Sequence, residues 1–504
     1  MMLPDTFLFR LALLFLIPAS MTAQNGPFAS SSSTVAFTAP IVSQDTVLYF
    51  RDNSQPWTLQ ECISYAQVHN ISVQQQQLNV KMAQADVLAS KGNFLPNLNA
   101  GVSHTYQYGR TVDRYTNTFA NSQVLSENFY ISSSLTLFSG MQNYNTLKQS
   151  QYSLEANRFG VLQSQYDIGM NVASAYLNVL YTQDQLTLAT SQTALTQGQV
   201  DRMQQLVTAG AQAKGTLLEL QAQMANEQVN VVSAQNAVTM AYLNLTQLMN
   251  LDSTAGFTIV KPSLEVAGGN ILASTPEQIY QTAISTQPGI KKAQMDYMSA
   301  DKGVAIAQGA YSPSVMLQGS LGTGYSGLAK DLNSSTITGV DTIGLTTGGD
   351  YVLIPSYSNT FVTTPFGNQF NNNVNKSIGV QVNIPIFNRF QVNSTVAKAK
   401  IQRESAQLNV DLSQQQLRKN ISQAYADAQA AYLKYQASQK AVDASKEAFK
   451  YTEGKFNLGA SNSIEYNNSK NNLATAETNL VQSKYDYIFR IKVLDYYQGK
   501  PLTF

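Results

Sequence analysis

The chain has little of what most protein chemistry requires. It holds one cysteine, Cys62, in 504 residues. That excludes an internal disulfide framework and any cysteine-based metal cluster. Two histidines, His69 and His104, leave little for zinc or general-base chemistry, and both read as a helix-surface and a strand-face residue. Charged residues make up 12% of the chain, about half the usual share of roughly 25%. Asn, Gln, Ser and Thr fill the gap, so the surface is polar but sparsely charged. A formal net charge of +1 gives no electrostatic case for nucleic acid. No nucleophile elbow, phosphate loop or metal-binding helix motif is present, so no enzyme activity and no cofactor are expected. "GTGYSG" at 322–327 matches a dinucleotide-binding spacing, but no helix follows it.

Long hydrophobic runs are also missing. The run "LALLFLI" after Arg10, closed by "ASMTA" ending at Ala23, reads as a secretory signal peptide over 1–23. It is too short to span a bilayer, and no cysteine stands at the cleavage point to take a lipid anchor. Residues 24–56 are rich in Ser and Thr and aperiodic, as a flexible leader would be. Beyond them no stretch approaches about 18 consecutive apolar residues. A membrane role therefore has to come from strands.

What the chain does have is an internal repeat. At an offset of 217, Thr58 falls on Thr275, Ala66 on Ala283, Asn70 on Gln287, Gly92 on Gly309, Phe94 on Tyr311 and Pro96 on Pro313. "KGNFLP" becomes "QGAYSP". Further on the offset becomes 249, with Leu137 and Phe138 on Ile386 and Phe387, Tyr176 on Tyr425, Gly210 on Gly459 and Leu245 on Leu494. The 32-residue difference lies between Pro313 and Ile386, in a Gly-, Ser-, Thr- and Asn-rich segment that reads as a long exposed loop over 324–375. The repeat divides the chain into 57–265 and 266–504.

Each half reads in the same order. Helices are predicted at 58–94, 141–207 and 216–250, then at 275–311, 391–456 and 464–498. Strands are predicted at 97–108 and 128–138, then at 314–323 and 376–387. At about 1.5 Å per residue, helix 141–207 is on the order of 100 Å long. The two shorter helices of that half are each roughly half as long, so stacked end to end they match it. Residues 251–274 and the C-terminus would then sit beside the middle. Leu147, Leu154, Val161, Ile168 and Ala175 recur every seven residues, as do Val396, Arg403, Val410, Leu417 and Ala424 with one exception. That is coiled-coil spacing.

Pro96 and Pro313 mark the junctions where helical rhythm gives way to alternation. After Pro96, Leu98, Ala100, Val102, His104, Tyr106 and Tyr108 share one face and polar residues the other. In "SIGVQVNIPI", Ile378, Val380, Val382, Ile384 and Ile386 share a face. Strands of about 10–12 residues with one apolar face suit a transmembrane barrel, although a soluble half-buried sheet has the same pattern. Four strands cannot close a barrel, and open edges are not tolerated in lipid, so the barrel has to be shared. Two copies would give a filled barrel, and three would give twelve strands around water.

The starts "WTLQECISYA" and "TPEQIYQTA", a proline at each helix-strand junction, "LFSG" at the strand-helix junction and a glycine hinge in each half resemble the TolC family of outer-membrane efflux proteins, the outer-membrane factors, over 57–500. The resemblance implies an α+β membrane protein: an outer-membrane β-barrel, four strands per chain and twelve in a homotrimer, on a coiled-coil tunnel in the periplasm. It implies a passive exit duct for tripartite efflux or type I secretion. The partners would be a periplasmic adaptor (a membrane fusion protein), an inner-membrane pump of RND or ABC type, and outer-membrane lipid. Gly210 with Ala211 and Gly459 with Ala460 end helices by a left-handed residue, and the resemblance adds that these hinges dock the adaptor. It also places the periplasmic entrance at Glu465 and Asn468, of which one is acidic. Phe456 and Ser461 stand where relatives carry a hydroxylated aromatic and a basic gate residue. Glu465 reads equally as a solvated helix residue. A secreted coiled-coil adhesin or structural surface protein is the alternative reading of the whole chain.

Overall fold

The computed structural model describes residues 55–113, 116–121, 123–251, 253–262, 274–500 and 502. The expected signal peptide, all of the leader but its last two residues, and the boundary expected at 265 lie outside the described residues.

Both halves open on a capping box. Thr58 caps helix α1 (Leu59–His69), its hydroxyl accepting from the Glu61 N–H while the Glu61 carboxylate takes the Thr58 N–H. Thr275 and Gln278 do the same for α5 (Pro276–Thr286). Where the periodicity predicts one helix over 58–94 and one over 275–311, each is two. Asn70 is extended, and α2 (Ile71–Gly92) starts after it. Gln287 is extended before Pro288, the first residue of α6 (Pro288–Gly309), as the residue before a proline tends to be. The breaks have a structural purpose. The Asn70 amide donates to the Leu248 carbonyl at 2.9 Å, and the Gln287 amide donates to the Tyr496 carbonyl at 3.3 Å. Leu248 and Tyr496 lie in the last turns of the helices α4 (Lys214–Met249) and α9 (Ser463–Tyr497). The short helices thus meet end to end, as their lengths require.

The long helices α3 (Gln142–Thr208) and α8 (Gln391–Asn457) have 67 residues each, roughly 100 Å at 1.5 Å per residue. Helix α3 packs against α2, α4, α6 and α9, and α8 against α6 and α9. The main core lies at mid-length, where Val172, Tyr176, Val179 and Leu180 of α3 meet Cys62 and Ala66 of α1 and Leu245 and Met249 of α4. Trp57 pairs in parallel with Ile259, and Phe257 and Leu502 pack into the same cluster, so the segment after α4 and the C-terminus sit beside the middle. In the heptad series Val396, Val410, Leu417 and Ala424 are buried. The exception, Arg403, lies 3.6 Å from Asp301 of α6.

Four strands form one antiparallel sheet in the order β1-β4-β5-β8. They are β1 (Asn99–Gln107), β4 (Val124–Ser139), β5 (Ser314–Ser326) and β8 (Asn375–Asn383). Strands β4 and β5 run longer than the alternation predicts, and "GTGYSG" is mostly the end of β5. Strand β8 is shorter: it stops before Ile384 and Pro385, so the expected strand to 387 is corrected, since proline cannot donate to a ladder. A small hairpin, β2 (Arg110–Val112) with β3 (Phe119–Asn121), joins β1 to β4. The expected loop over 324–375 is also corrected. It folds into a long hairpin, β6 (Lys330–Leu345) with β7 (Tyr351–Thr363), and a short helix α7 (Phe366–Asn372).

Candidate functional site: a two-faced sheet and the helical tips

Register decides what the sheet can do. Directly paired residues share a face, so Ala100, Val102, Ile131, Leu135, Leu317, Leu321, Ile378, Val380 and Val382 form one apolar face. The other carries Ser103, Ser132, Ser134, Gln318, Ser320, Ser377 and Gln381. Polar residues bond across it, Gln318 to Gln381 at 2.9 Å and Ser320 to Ser377 at 2.7 Å. The apolar face is not wholly uncharged. His104 and Glu127 pair across β1 and β4 at 2.7 Å, and Lys376 lies opposite Leu321. All three sit toward the end of the sheet remote from the helices. Among the described residues neither outer strand, β1 or β8, has a ladder partner on its open side.

Pro96 lies between α2 and β1, and Pro313 between α6 and β5. At the return junctions Gly140 and Met141 both have positive φ, as do Arg389 and Phe390 at the 249 offset. A Cβ on Gly140 would sit 2.2 Å from the Gly309 carbonyl oxygen. There the two repeats cross backbone to backbone.

The far ends of the helices form two tips. Gly210 and Gly459 have φ of +73° and +74° with nothing near an added Cβ, so the backbone angle rather than space calls for glycine. The Ala211 N–H bonds the Leu206 carbonyl at 2.9 Å and the Ala460 N–H bonds Lys455 at 2.8 Å. The second tip adds a cap: Asn462 accepts from the Glu465 N–H at 2.8 Å. The Glu465 carboxylate accepts from the Ser461 hydroxyl at 2.7 Å. Glu465 and Asn468 are both exposed, one turn apart on α9. Phe456 packs 4.7 Å from Tyr466, which is buried, with its hydroxyl pKa pushed up to about 12 by burial first and by Glu453 second.

Three further links between the tips escape sequence reasoning. Arg202 of α3 donates to the Asn457 side chain. The Ser463 hydroxyl donates to Glu219, an exposed acid of α4, at 3.1 Å. Deeper in, Lys470 and Glu227 form a buried ion pair at 2.8 Å. Thr196 donates to the same carboxylate at 2.5 Å, and Lys470 donates to the Gln192 carbonyl at 3.1 Å. Lys470 is more than 240 residues from each of its partners in sequence, and each alone looks like a solvated helix residue. Among the described residues no group of acids, His and Cys could hold a metal ion, and no helix is long and apolar enough to cross a membrane.

Several solved structures share this architecture. CusC, described for conformational changes accompanying folding and transmembrane channel formation, is 17% identical with a TM-score of 0.69, covering 90% of this chain and 94% of its own. The CmeC outer membrane channel of Campylobacter jejuni is 15% identical at 0.70, covering 88% and 85%. The outer membrane protein VceC of Vibrio cholerae is 14% identical at 0.69, covering 88% and 96%. At such identities the likeness speaks to the fold. No curated protein sequence matches. The sequence profile of the family described as Outer membrane efflux protein matches residues 62–251 and 279–489, one stretch in each repeat. The chain therefore belongs to the outer membrane efflux protein family.

Proposed function

We propose that this chain is the outer-membrane exit duct of a tripartite efflux or type I secretion system, acting as a homotrimer built on the repeats 57–265 and 266–504. One observation carries the reading: a four-stranded sheet with one apolar and one polar face ends in unpaired edges and continues into helical hairpins about 100 Å long. Lipid accepts the apolar face but not the edges. Three copies supply twelve strands, whose polar faces line a wet lumen. Four helices per chain at any level give a twelve-helix tunnel beneath it. The duct is passive, and its energy would come from an inner-membrane pump of RND or ABC type through a periplasmic adaptor. The hinges at Gly210, Ala211, Gly459 and Ala460 would dock that adaptor. Glu465 and Asn468 would ring the entrance. An adhesin would not need edges that only other copies can close, and neither family nor fold favours it. Reconstituted protein from detergent-extracted outer membranes should conduct ions across planar bilayers and cross-link to a three-chain species. A non-conducting stable monomer would overturn the proposal.

A further inference from the structure

The hairpin β6–β7 accounts for the excess of the second repeat over the first, and it is built with one apolar face. On β7 the faces simply alternate. On β6, Leu332, Ile337, Val340 and Leu345 are spaced by five, three and five residues. In a regular strand such odd spacings would place them on alternating faces. The pairing shifts once within each interval, between Leu332 and Ser334, Ile337 and Gly339, and Thr342 and Gly344. Each bulge restores the face. Leu332 therefore stands opposite Phe361, Ile337 opposite Tyr357 and Leu345 opposite Tyr351, all on one side. All six are more than half exposed in the single chain. Ser334 with Thr360 and Thr336 with Ser358 lie on the other, which is polar at mid-length and carries Val362, Ile354 and Val352 toward its ends opposite Asp331, Asp341 and Gly344.

The base of this ribbon is held rigidly. Gln369 of α7 is buried, accepting from the Ser326 N–H at 2.9 Å and donating to the Ser326 and Thr364 carbonyls at 3.0 and 2.9 Å. Phe370 packs on Phe129 of the sheet, 5.5 Å between ring centres. The ribbon rises from β5 and returns to β8, an edge strand, at the end of the sheet opposite the helices. A 16-residue strand reaches roughly 50 Å. An isolated two-stranded hairpin is marginal in water, yet this one uses three bulges to keep an apolar face without charge from Leu332 to Leu345.

We propose that the apolar faces of three such hairpins pack on one another above the outer mouth of the trimer, forming an extracellular collar over the exit. The occupant is a second copy of this chain because the ribbon continues from β8, whose open ladder another copy has to pair. Tethered at one mouth, the three hairpins meet at high effective concentration without a further association step. The absence of charge on the face between Leu332 and Leu345 fits a like surface better than an acidic or basic partner. The inference rests on the trimeric reading.

The test uses the full chain on intact cells with a membrane-impermeant maleimide, against which buried Cys62 is silent. Ile337→Cys and Leu353→Cys on the apolar face should react at least tenfold more slowly than Thr336→Cys and Ser358→Cys on the polar face. After heat dissociation in detergent all four should react alike. A short bis-maleimide should join Ile337→Cys chains to one another but not Ser358→Cys chains. Equal rates on both faces of an intact trimer overturn the collar and leave the trimer standing. Protection without inter-chain joining also overturns it, and assigns the face to lipid or to another surface protein. Absence of a trimer, read separately by glutaraldehyde, removes the collar together with the proposed function.

Discussion

Lys470 and Glu227 place a charge pair where water does not reach, tying α9 to α4 and, through Thr196, to α3. Removing one partner of a buried pair leaves the other uncompensated, at a cost of about 3–5 kcal/mol. Lys470→Met should therefore lower thermal stability strongly, and adding Glu227→Leu should recover much of the loss, since a well-packed apolar pair often replaces an ionic one. Calorimetry of both variants checks this, and equal losses would show that packing rather than charge holds the tips. Glu465 calls for a different readout. Its carboxylate is exposed and held by Ser461 at 2.7 Å. Three such acids around one axis would favour cations over about one Debye length, roughly 8 Å at physiological salt. Glu465→Gln should lower cation selectivity in planar bilayers at low salt, with little change at about 1 M, where screening shortens that length to roughly 3 Å, and without loss of trimer stability. Unchanged low-salt selectivity would leave Glu465 a cap residue of α9. The acid is singled out in the sequence by the family resemblance, which puts a carboxylate just past the second hinge. The buried pair is not, because its members are distant in sequence and each sits in a polar helical context.

At the scale of elements, the long helices and the alternating strands follow from rhythm, since each keeps one face toward a constant environment, and the hinges follow from their glycines. Two features do not. Asn70 is no breaker by type, so α1 and α2 read as one helix until the Leu248 carbonyl is seen to accept its amide. The hairpin β6–β7 hides because three bulges scramble the very alternation that reveals a strand. The hinge glycine gives a sharp test. Proline fixes φ near −65°, whereas Gly459 sits at +74°, so Gly459→Pro should unmake the second tip. That tip lies on the order of 100 Å from the sheet, so insertion and trimer formation should persist while adaptor recovery in pull-downs falls. Loss of the trimer itself would contradict the separation of tip and barrel. Gly459→Ala should be milder, about 1 kcal/mol of local strain, and should retain most adaptor recovery.

At the scale of the whole molecule, the repeat predicts a contact that a single chain cannot make. Within one chain α3 lies between α2 and α6, and α6 lies between α3 and α8. Helix α3 corresponds to α8 and α2 to α6, so closing the ring requires α8 to pack on the α2 of a neighbouring copy. The surfaces concerned are apolar and open: Leu78, Met82 and Leu88 on α2, Ile401, Leu408 and Leu412 on α8. The internal contact also supplies the register. Ser153 of α3 and Ser299 of α6 bond at 3.0 Å between hydroxyls. At the two offsets Ser153 falls on Gln402 and Ser299 on Met82. Met82→Cys combined with Gln402→Cys should therefore form disulfides between chains on mild oxidation, giving a ladder up to three chains on a denaturing gel. Ser153→Cys combined with Ser299→Cys should close within one chain and leave a monomer band. Open edges of the sheet and open faces of the helices would then be closed by the same neighbour, as a continuous duct requires. If the Met82 and Gln402 pair fails to link chains while the Ser153 and Ser299 pair closes, the ring is not built on the repeat, and the copies meet through some other face.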